Sequence, residues 1–240
     1  MAKIILCRRF SASSVRFAFH PQAGDSTLCV EGELFVHLFR ARRKTHGAFA
    51  FRNLLDDNLY MYTLQSLTRK NATLILESNT FAPNKPAHAL HLLCAIIDNK
   101  AIERDLPLLN EFGAAKMTFF PAELSQNFRI DIERLQRIAR HSSEQCGRSD
   151  CVQIALAESL DSLLRAFPHA AVFDFGGESL AQCAGNVREI LIGAEGGFSE
   201  KEREKMRHLR KLSSGELILR ASSAAVFAQA NAWRIMGQGG

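Results

Sequence analysis

The chain has 240 residues, 47% of them hydrophobic and 23% charged, which is the make-up of an ordinary globular protein with apolar material for one large or two smaller domains. A net charge of +5 suits a polyanionic partner, and it equally suits a basic protein without one. No run of ~18 uninterrupted apolar residues exists, and the opening MAKIILCRRF lacks a small-residue cleavage pattern; membrane spans and a secretory signal are therefore excluded, and a cytoplasmic location is expected.

From the N-terminus, residues 1–78 carry short apolar runs between charged and turn-forming residues: Ser26–Val30, Glu33–Phe39, Gly47–Phe51, Leu59–Leu64 and Ala72–Leu76. Their length and spacing predict a small β-rich domain. The stretch 79–88 holds Pro83 and Pro86 among polar turn-formers and reads as a linker. The second domain, within 79–240, changes rhythm. Ala89–Ile97 is a strand candidate and Lys100–Phe112 a helix, in which Pro107 predicts a kink or a start nearer Asp105. Lys116–Phe120 follows as a strand. Ile130–Cys146 is a helix with Ile132, Leu135, Ile138, Ala139, Ser142 and Cys146 on one face and Gly147 as its stop. Strands are then expected at Val152–Ala155, Ala170–Phe175, Arg188–Ile192 and Glu216–Leu219, with helices at Glu158–Phe167, Ser199–Leu212 and Ser222–Met236. Ser199 and Glu202 have the spacing of a capping box. Strands alternating with helices imply an α/β domain with a mostly parallel sheet.

One segment stands out for chemistry, Glu189-Ile-Leu-Ile-Gly-Ala-Glu-Gly-Gly-Phe-Ser199. A buried strand ends at Gly193, three glycines fall within Gly193–Gly197, and a capped helix begins. Glycine permits positive φ and close approach of a ligand, and ligands of open α/β sheets bind beyond the carboxyl ends of strands. A phosphate site is the rival, because helix N-termini attract anions. The spacing matches neither G-x-x-x-x-G-K-[ST] nor G-x-G-x-x-G, and Glu195 would repel a polyphosphate. A tight turn with glycines for geometry alone is the other alternative.

Six cysteines, Cys7, Cys29, Cys94, Cys146, Cys151 and Cys183, are scattered without a C-x-x-C pair, so they read as reduced thiols and no metal site is expected. Positive charge gathers at Arg8, Arg9, Arg40, Arg42, Arg43, Lys44 and Arg52, groups that would give affinity for phosphates. Phe10, Phe39 and Phe49 among them read as core residues, and His37 as a packed rather than a catalytic histidine.

LIGAEGGFSEKE resembles the Leu-Ile-Gly-Pro-Glu-Gly-Gly-Phe-Ser signature of the RsmE-type 16S ribosomal RNA uridine N3-methyltransferases of the SPOUT superfamily. Cys7-Arg-Arg-Phe10, His37-Leu-Phe-Arg40, the stretch from Asn99-Lys-Ala-Ile-Glu-Arg to Asn110-Glu-Phe-Gly113, and Glu133-Arg134 through Glu144-Gln145-Cys-Gly-Arg148 resemble further segments in order and spacing. Leu219-Arg-Ala-Ser-Ser-Ala224 stands where the family has Leu-Arg-Thr-Glu-Thr-Ala. The resemblance implies an N-terminal PUA-like β-barrel followed by a SPOUT-type trefoil-knotted α/β methyltransferase domain, a homodimer acting on 16S ribosomal RNA or the small ribosomal subunit. S-adenosylmethionine would be held by Phe175, Gly176, Ile192, Gly193, Glu195, Gly196, Gly197, Leu217, Ile218, Leu219, Ser222 and Ala224. Arg8, Arg9, Arg40, Arg42, Arg43 and Lys44 would contact RNA. Two departures are Ala194 for the usual proline and Ala221-Ser222-Ser223 for Thr-Glu-Thr, which removes a carboxylate.

Uridine N3 carries a proton, so methylation requires its loss before or during attack on the sulfonium methyl. Arg220 is the candidate to stabilise charge on O2 or O4. Glu195 is a candidate base, or a residue that holds the loop through backbone amides. A non-catalytic RNA-binding or ribosome-assembly protein of the same fold is the alternative that Ala221-Ser222-Ser223 suggests.

Overall fold

The computed structural model describes residues 16–41, 47–87, 90–125, 129–180 and 187–236. The chain divides into two compact units: residues up to Asn84 with Glu144–Asp150, and Lys85–Ser143 with Cys151 onward.

The first unit is built on a five-stranded sheet. Its strands are β1 (Ala18–Phe19), β2 (Thr27–Glu31), β3 (Phe49–Arg52), β4 (Asn58–Leu67) and β5 (Asn71–Phe81), in the order β1-β3-β4-β5-β2. β1 runs parallel to β3, and the other pairings are antiparallel. β5 continues to Phe81, so the segment read as a linker begins as strand. On β2, Leu28 and Val30 point inward while Thr27, Cys29 and Glu31 face solvent, the period-2 pattern of a half-buried strand. The core gathers Leu28, Val30, Phe35, Phe39, Phe49, Phe51, Tyr62 and Leu74.

The expectation of strand at Glu33–Phe39 is overturned. Residues Gly32–Phe35 form a helical turn, α1, that passes into a π-helical stretch, Val36–Ala41. The reason lies in the spacing: Leu34, Phe35, Leu38 and Phe39 recur at helical intervals, and a helix puts residues i and i+4 on one face. The Phe35 and Phe39 rings stack at 5.3 Å, and Phe39 meets Phe49 of β3 at 5.2 Å. His37 is exposed on the opposite side, not packed as expected.

Arg52 also departs from its reading as surface charge. It is 1% exposed. Its guanidinium donates to the carbonyls of Ala82 at 2.7 Å and Asp57 at 3.2 Å and lies 4.9 Å from the centre of the Phe17 ring. Position on β3, whose four residues are all buried, turns this cation into a fastener for main-chain carbonyls. Burial lowers its pKa from the ordinary arginine value against the opposing field of Asp57 and Asp56.

The second unit carries a six-stranded, wholly parallel sheet. Its strands are β6 (His91–Ala95), β7 (Lys116–Phe120), β8 (Gln153–Leu156), β9 (Ala171–Ser179), β10 (Glu189–Ile192) and β11 (Lys211–Ser213). The order is β11-β9-β10-β6-β7-β8. All five residues of β6 and the last three of β10 are buried, as expected of strands covered on both faces. Helices α2 (Asn99–Glu111), α3 (Ile132–Cys146), α4 (Leu160–Ala166), α5 (Glu200–Lys205) and α6 (Ala221–Met236) alternate with them. α2 starts at Asn99, capped by the Asp98 carboxylate, rather than near Asp105. Buried Asn110 ties it to α3 by donating to Ser142 and Ser143, and it accepts from the Val152 amide at 3.0 Å.

The last third differs from expectation in two places. The helix expected over Ser199–Leu212 stops at Lys205, and the strand expected at Glu216–Leu219 lies earlier, at Lys211–Ser213. Leu212 and Ser213 are the residues of this stretch that bury, whereas Leu217 and Ile218 stand 79% and 77% exposed. Among the described residues no helix is long and apolar enough to cross a membrane.

Candidate functional site

β10 ends at Ile192, beside Phe173 in the middle of the adjacent β9, and the chain after β11 comes alongside them. The segment after β10, the middle of β9 and the segment after β11 enclose an open cleft of about 700 Å³, solvent included.

The floor is the turn that follows β10. The Gly197 amide donates to the Ala194 carbonyl at 2.9 Å, closing Ala194–Gly197 into a tight turn. Gly193 sits where a β-carbon would come within 2.9 Å of the Gly197 carbonyl carbon, and Gly197 holds φ at +77°. The expected capping box then starts α5: Ser199 Oγ accepts from the Glu202 amide at 3.1 Å and Glu202 Oε2 accepts from the Ser199 amide at 2.9 Å. Glu202 is itself buried, and its Oε1 accepts from the Glu123 amide at 2.9 Å. One carboxylate thus fastens the turn's exit to the segment after β7.

A break in strand pairing makes one wall. β11 pairs with β9 at Lys211↔Val172 and next at Leu212↔Glu178, so the residues between Val172 and Glu178 leave that ladder. Phe173, Asp174 and Phe175 from this excursion line the cleft. Return to the ladder demands glycine at 177, where a β-carbon would meet the Leu212 main chain at 2.6 Å.

Asp174 forms a two-pronged ion pair with Arg203 of α5, at 2.8 and 3.0 Å, with its side chain 6% exposed. Burial works against the charge on Asp174. Hydrogen bonds from Arg203 and the Phe175 amide, with the fields of Arg203 and Lys211, outweigh it and hold the carboxyl below its ordinary range. The guanidinium also lies 3.4 Å from where a Gly197 β-carbon would be. Arg203 therefore braces two walls at once.

Of the positions expected to hold a cofactor, Phe175, Ile192, Gly193, Glu195, Gly196, Gly197, Leu217, Ile218, Leu219 and Ala224 line this cleft. Gly176 does not, although its φ of +69° shapes the adjacent excursion. Ser222 lines a neighbouring apolar cavity with Cys94, Ile102, Asp105 and Met117; burial there pushes the Cys94 thiol up to about 12. Sequence reasoning missed Phe173, Asp174 and Ser213–Gly215. The carboxylate at the end of an apolar strand was the available signal for Asp174.

Arg220 is exposed immediately before α6 and is not part of the cleft lining; its carbonyl accepts from the Ala224 amide at 2.8 Å. Glu195 is exposed at the cleft edge. Arg40 is exposed on the first unit. Arg8, Arg9, Arg42, Arg43 and Lys44, and Phe10, lie outside the described residues.

Residues 83–233 match the RNA methyltransferase domain family. Two proteins named ribosomal RNA small subunit methyltransferase E, from two strains of Helicobacter pylori, are 40% and 39% identical over 220 residues, covering 89% of this chain and 97% of theirs. Among solved structures, a methyltransferase of Legionella pneumophila in complex with S-adenosylmethionine superposes with a TM-score of 0.79 at 21% identity, over 93% of this chain and 98% of that one. A ribosomal RNA small subunit methyltransferase E of Neisseria gonorrhoeae bound to S-adenosyl methionine gives 0.77 at 17%, over 88% and 94%. These two share the fold. The identity and coverage of the Helicobacter relatives go further: the chain belongs to the family of ribosomal RNA small subunit methyltransferases of type E, within the RNA methyltransferase domain family.

Proposed function

We propose that this protein transfers a methyl group from S-adenosylmethionine to N3 of one uridine in 16S ribosomal RNA. The observation that carries the reading is the cleft between the carboxyl end of β10 and the excursion of β9 at Phe173–Phe175. Its floor is glycine main chain, and its rim carries Phe175, Leu217 and Ile218, all exposed large apolar side chains. Apolar surface clustered at the mouth of a cleft suits a ligand with an aromatic ring and an apolar chain. The cofactor, when bound, supplies an electrophilic methyl on a sulfonium.

This chain's residues do the rest. Backbone groups of Gly193–Gly197 and of Leu217–Leu219 hold the ligand, Ala224 and Ile192 close its apolar side, and Gly176 and Ser222 shape the flanking segments. Arg220, free in solvent at the head of α6, turns its guanidinium to the uridine O2 or O4 as charge develops there. Glu195 at the rim accepts the N3 proton or fixes the loop. Arg40, with Arg8, Arg9, Arg42, Arg43 and Lys44, binds RNA phosphates. The first unit acts as a PUA-like barrel and the second as a trefoil-knotted domain in a homodimer, as in the family the sequence resembles.

Arg220→Ala is expected to lower turnover by roughly 100-fold, the scale of losing one donor to a developing oxyanion, with cofactor affinity unchanged. Methyl transfer to unmodified 16S RNA and calorimetric titration with S-adenosylmethionine measure the two. Unchanged turnover removes Arg220 from the mechanism. N3-methyluridine persisting at full level in RNA from a deletion strain would favour the non-catalytic reading.

A further inference from the structure

The geometry points to a phosphate-binding clamp on the first unit, made by Arg40 together with Arg69 and Lys70 of the β4–β5 turn, that grips the backbone of the RNA substrate. It rests on RNA being the substrate in the reading above, and it adds two residues that no basic run in the sequence marks.

The turn is built rather than loose. Thr68 Oγ1 accepts from the amides of Lys70 at 3.2 Å and Asn71 at 3.0 Å, and donates to Asn71 Oδ1 at 2.7 Å. The Thr68 amide donates to the Asn71 carbonyl at 2.9 Å. That network fixes the main chain at Arg69 and Lys70 and leaves both side chains exposed.

Arg40 comes to this turn from the π-helical stretch, across a separation of 29 residues. Its Nη2 donates to the Arg69 carbonyl at 2.9 Å, and its guanidinium carbon lies 5.8 Å from the centre of the Phe35 ring. A hydrogen bond at one corner and an aromatic face beneath orient the group, so little freedom is lost when its other N–H donors engage an anion.

Among the described residues, none of the three cations forms an ion pair. Glu31, opposite Asn71 in the β2–β5 register, lies at the same end of the sheet without pairing to them. Some surface cations of the second unit pair instead: Lys205 with Asp161, Arg207 with Glu204 and Arg210 with Glu178. Fixing one unpaired cation to the backbone of a turn that carries two more concentrates positive potential, which favours a polyanion. A forked guanidinium and a point-charge ammonium both suit phosphate oxygens.

The test is the salt dependence of binding to full-length, unmethylated 16S RNA transcript by filter retention. Each lost phosphate contact lowers the slope of log K against log salt by about 1. Arg69→Ala/Lys70→Ala is expected to lower it by about 2 and to weaken binding roughly tenfold near 0.1 M salt, while Arg69→Lys keeps the slope. Circular dichroism and a urea unfolding curve that includes the transition of the first unit report that each variant is folded. An unchanged slope and affinity in folded Arg69→Ala/Lys70→Ala overturns the clamp, whatever the methylation result. A lowered slope in a protein whose wild type makes no N3-methyluridine supports the clamp and overturns the proposed reaction.

Discussion

A methyl group on Gly193 would lie 2.9 Å from the Gly197 carbonyl carbon and 3.0 Å from its oxygen. The obstacle is main chain, which cannot swing aside as a side chain does. Gly193→Ala must therefore open the turn that floors the cleft, and S-adenosylmethionine affinity is expected to fall at least ~10-fold, as for a small misplacement in a preorganised site. Gly197→Ala meets only the Arg203 guanidinium at 3.4 Å; its cost is the left-handed backbone, about 1 kcal/mol, and titration should show a smaller loss. Equal affinities for Gly193→Ala and wild type would refute the close-approach account. These glycines were legible in the sequence because their spacing after an apolar strand has few other uses. Arg52 was not. A cation within a basic stretch looks solvated, and only its place on a fully buried strand, facing two carbonyls, reveals a structural role. Asp174 was hidden likewise, since its partner Arg203 lies 29 residues away.

At the level of elements, the alternation from β6 to β10 was readable to within a residue or two, except that β9 runs four residues past the expected Phe175, to Ser179. Buried parallel strands are continuous apolar runs, and glycine stops mark helix ends. Residues 32–41 failed because a short apolar run fits either period, and the helical choice is made by the stacking of Phe35, Phe39 and Phe49. β11 failed because it has three residues, and the more apolar Leu217-Ile218 beyond it serves the cleft rim instead. The start of β6 carries a testable pH dependence. His91 is buried, its Nε2 lies 2.7 Å from Thr118 Oγ1, and its ring meets the edge of Phe167 at 4.9 Å. Burial first, and the charge of Lys116 opposite it on β7, lower its pKa to about 4. The unfolded chain takes up this proton near the ordinary value of 6.5, well before the folded protein does. Stability from neutral His91 is thus complete above about 6.5 and drains away as pH falls towards 4, by on the order of 3 kcal/mol. Urea unfolding between pH 7.5 and 4.5 should show this slope, and His91→Gln should flatten it. Parallel profiles for the two proteins would dismiss His91 as the cause.

The molecule as a whole divides in a way that no composition shift announces, because its first unit is discontinuous. Glu144–Asp150 belongs with the residues up to Asn84. Glu144 Oε1 accepts from the Phe19 amide at 2.8 Å, Ser149 Oγ bonds to Asp57 Oδ1 at 3.0 Å, and the Ser149 amide donates to the Asn84 carbonyl at 2.9 Å. Each is worth about 1 kcal/mol when both partners are satisfied, and more is lost if a buried partner is stranded. A fragment ending at Asn84 should therefore unfold at lower urea than the same unit in the full chain, and Ser149→Ala, which loses the hydroxyl bonded to Asp57 and to the Asn84 amide, should lower hydrogen-exchange protection at Asn84 and around Asp57. A fragment as stable as the parent unit would contradict the division.

The same discontinuity reaches into biosynthesis. Residue 144 is polymerised sixty positions after Asn84, which at ~5–20 residues per second is a delay of about 3–12 s. For that interval the nascent first unit lacks its last seven residues, Glu144–Asp150. Until the helix that carries Glu144 and the residues after it emerge, the Phe19 amide, the Asp57 carboxylate and the Asn84 carbonyl lack the hydrogen bonds that this segment supplies.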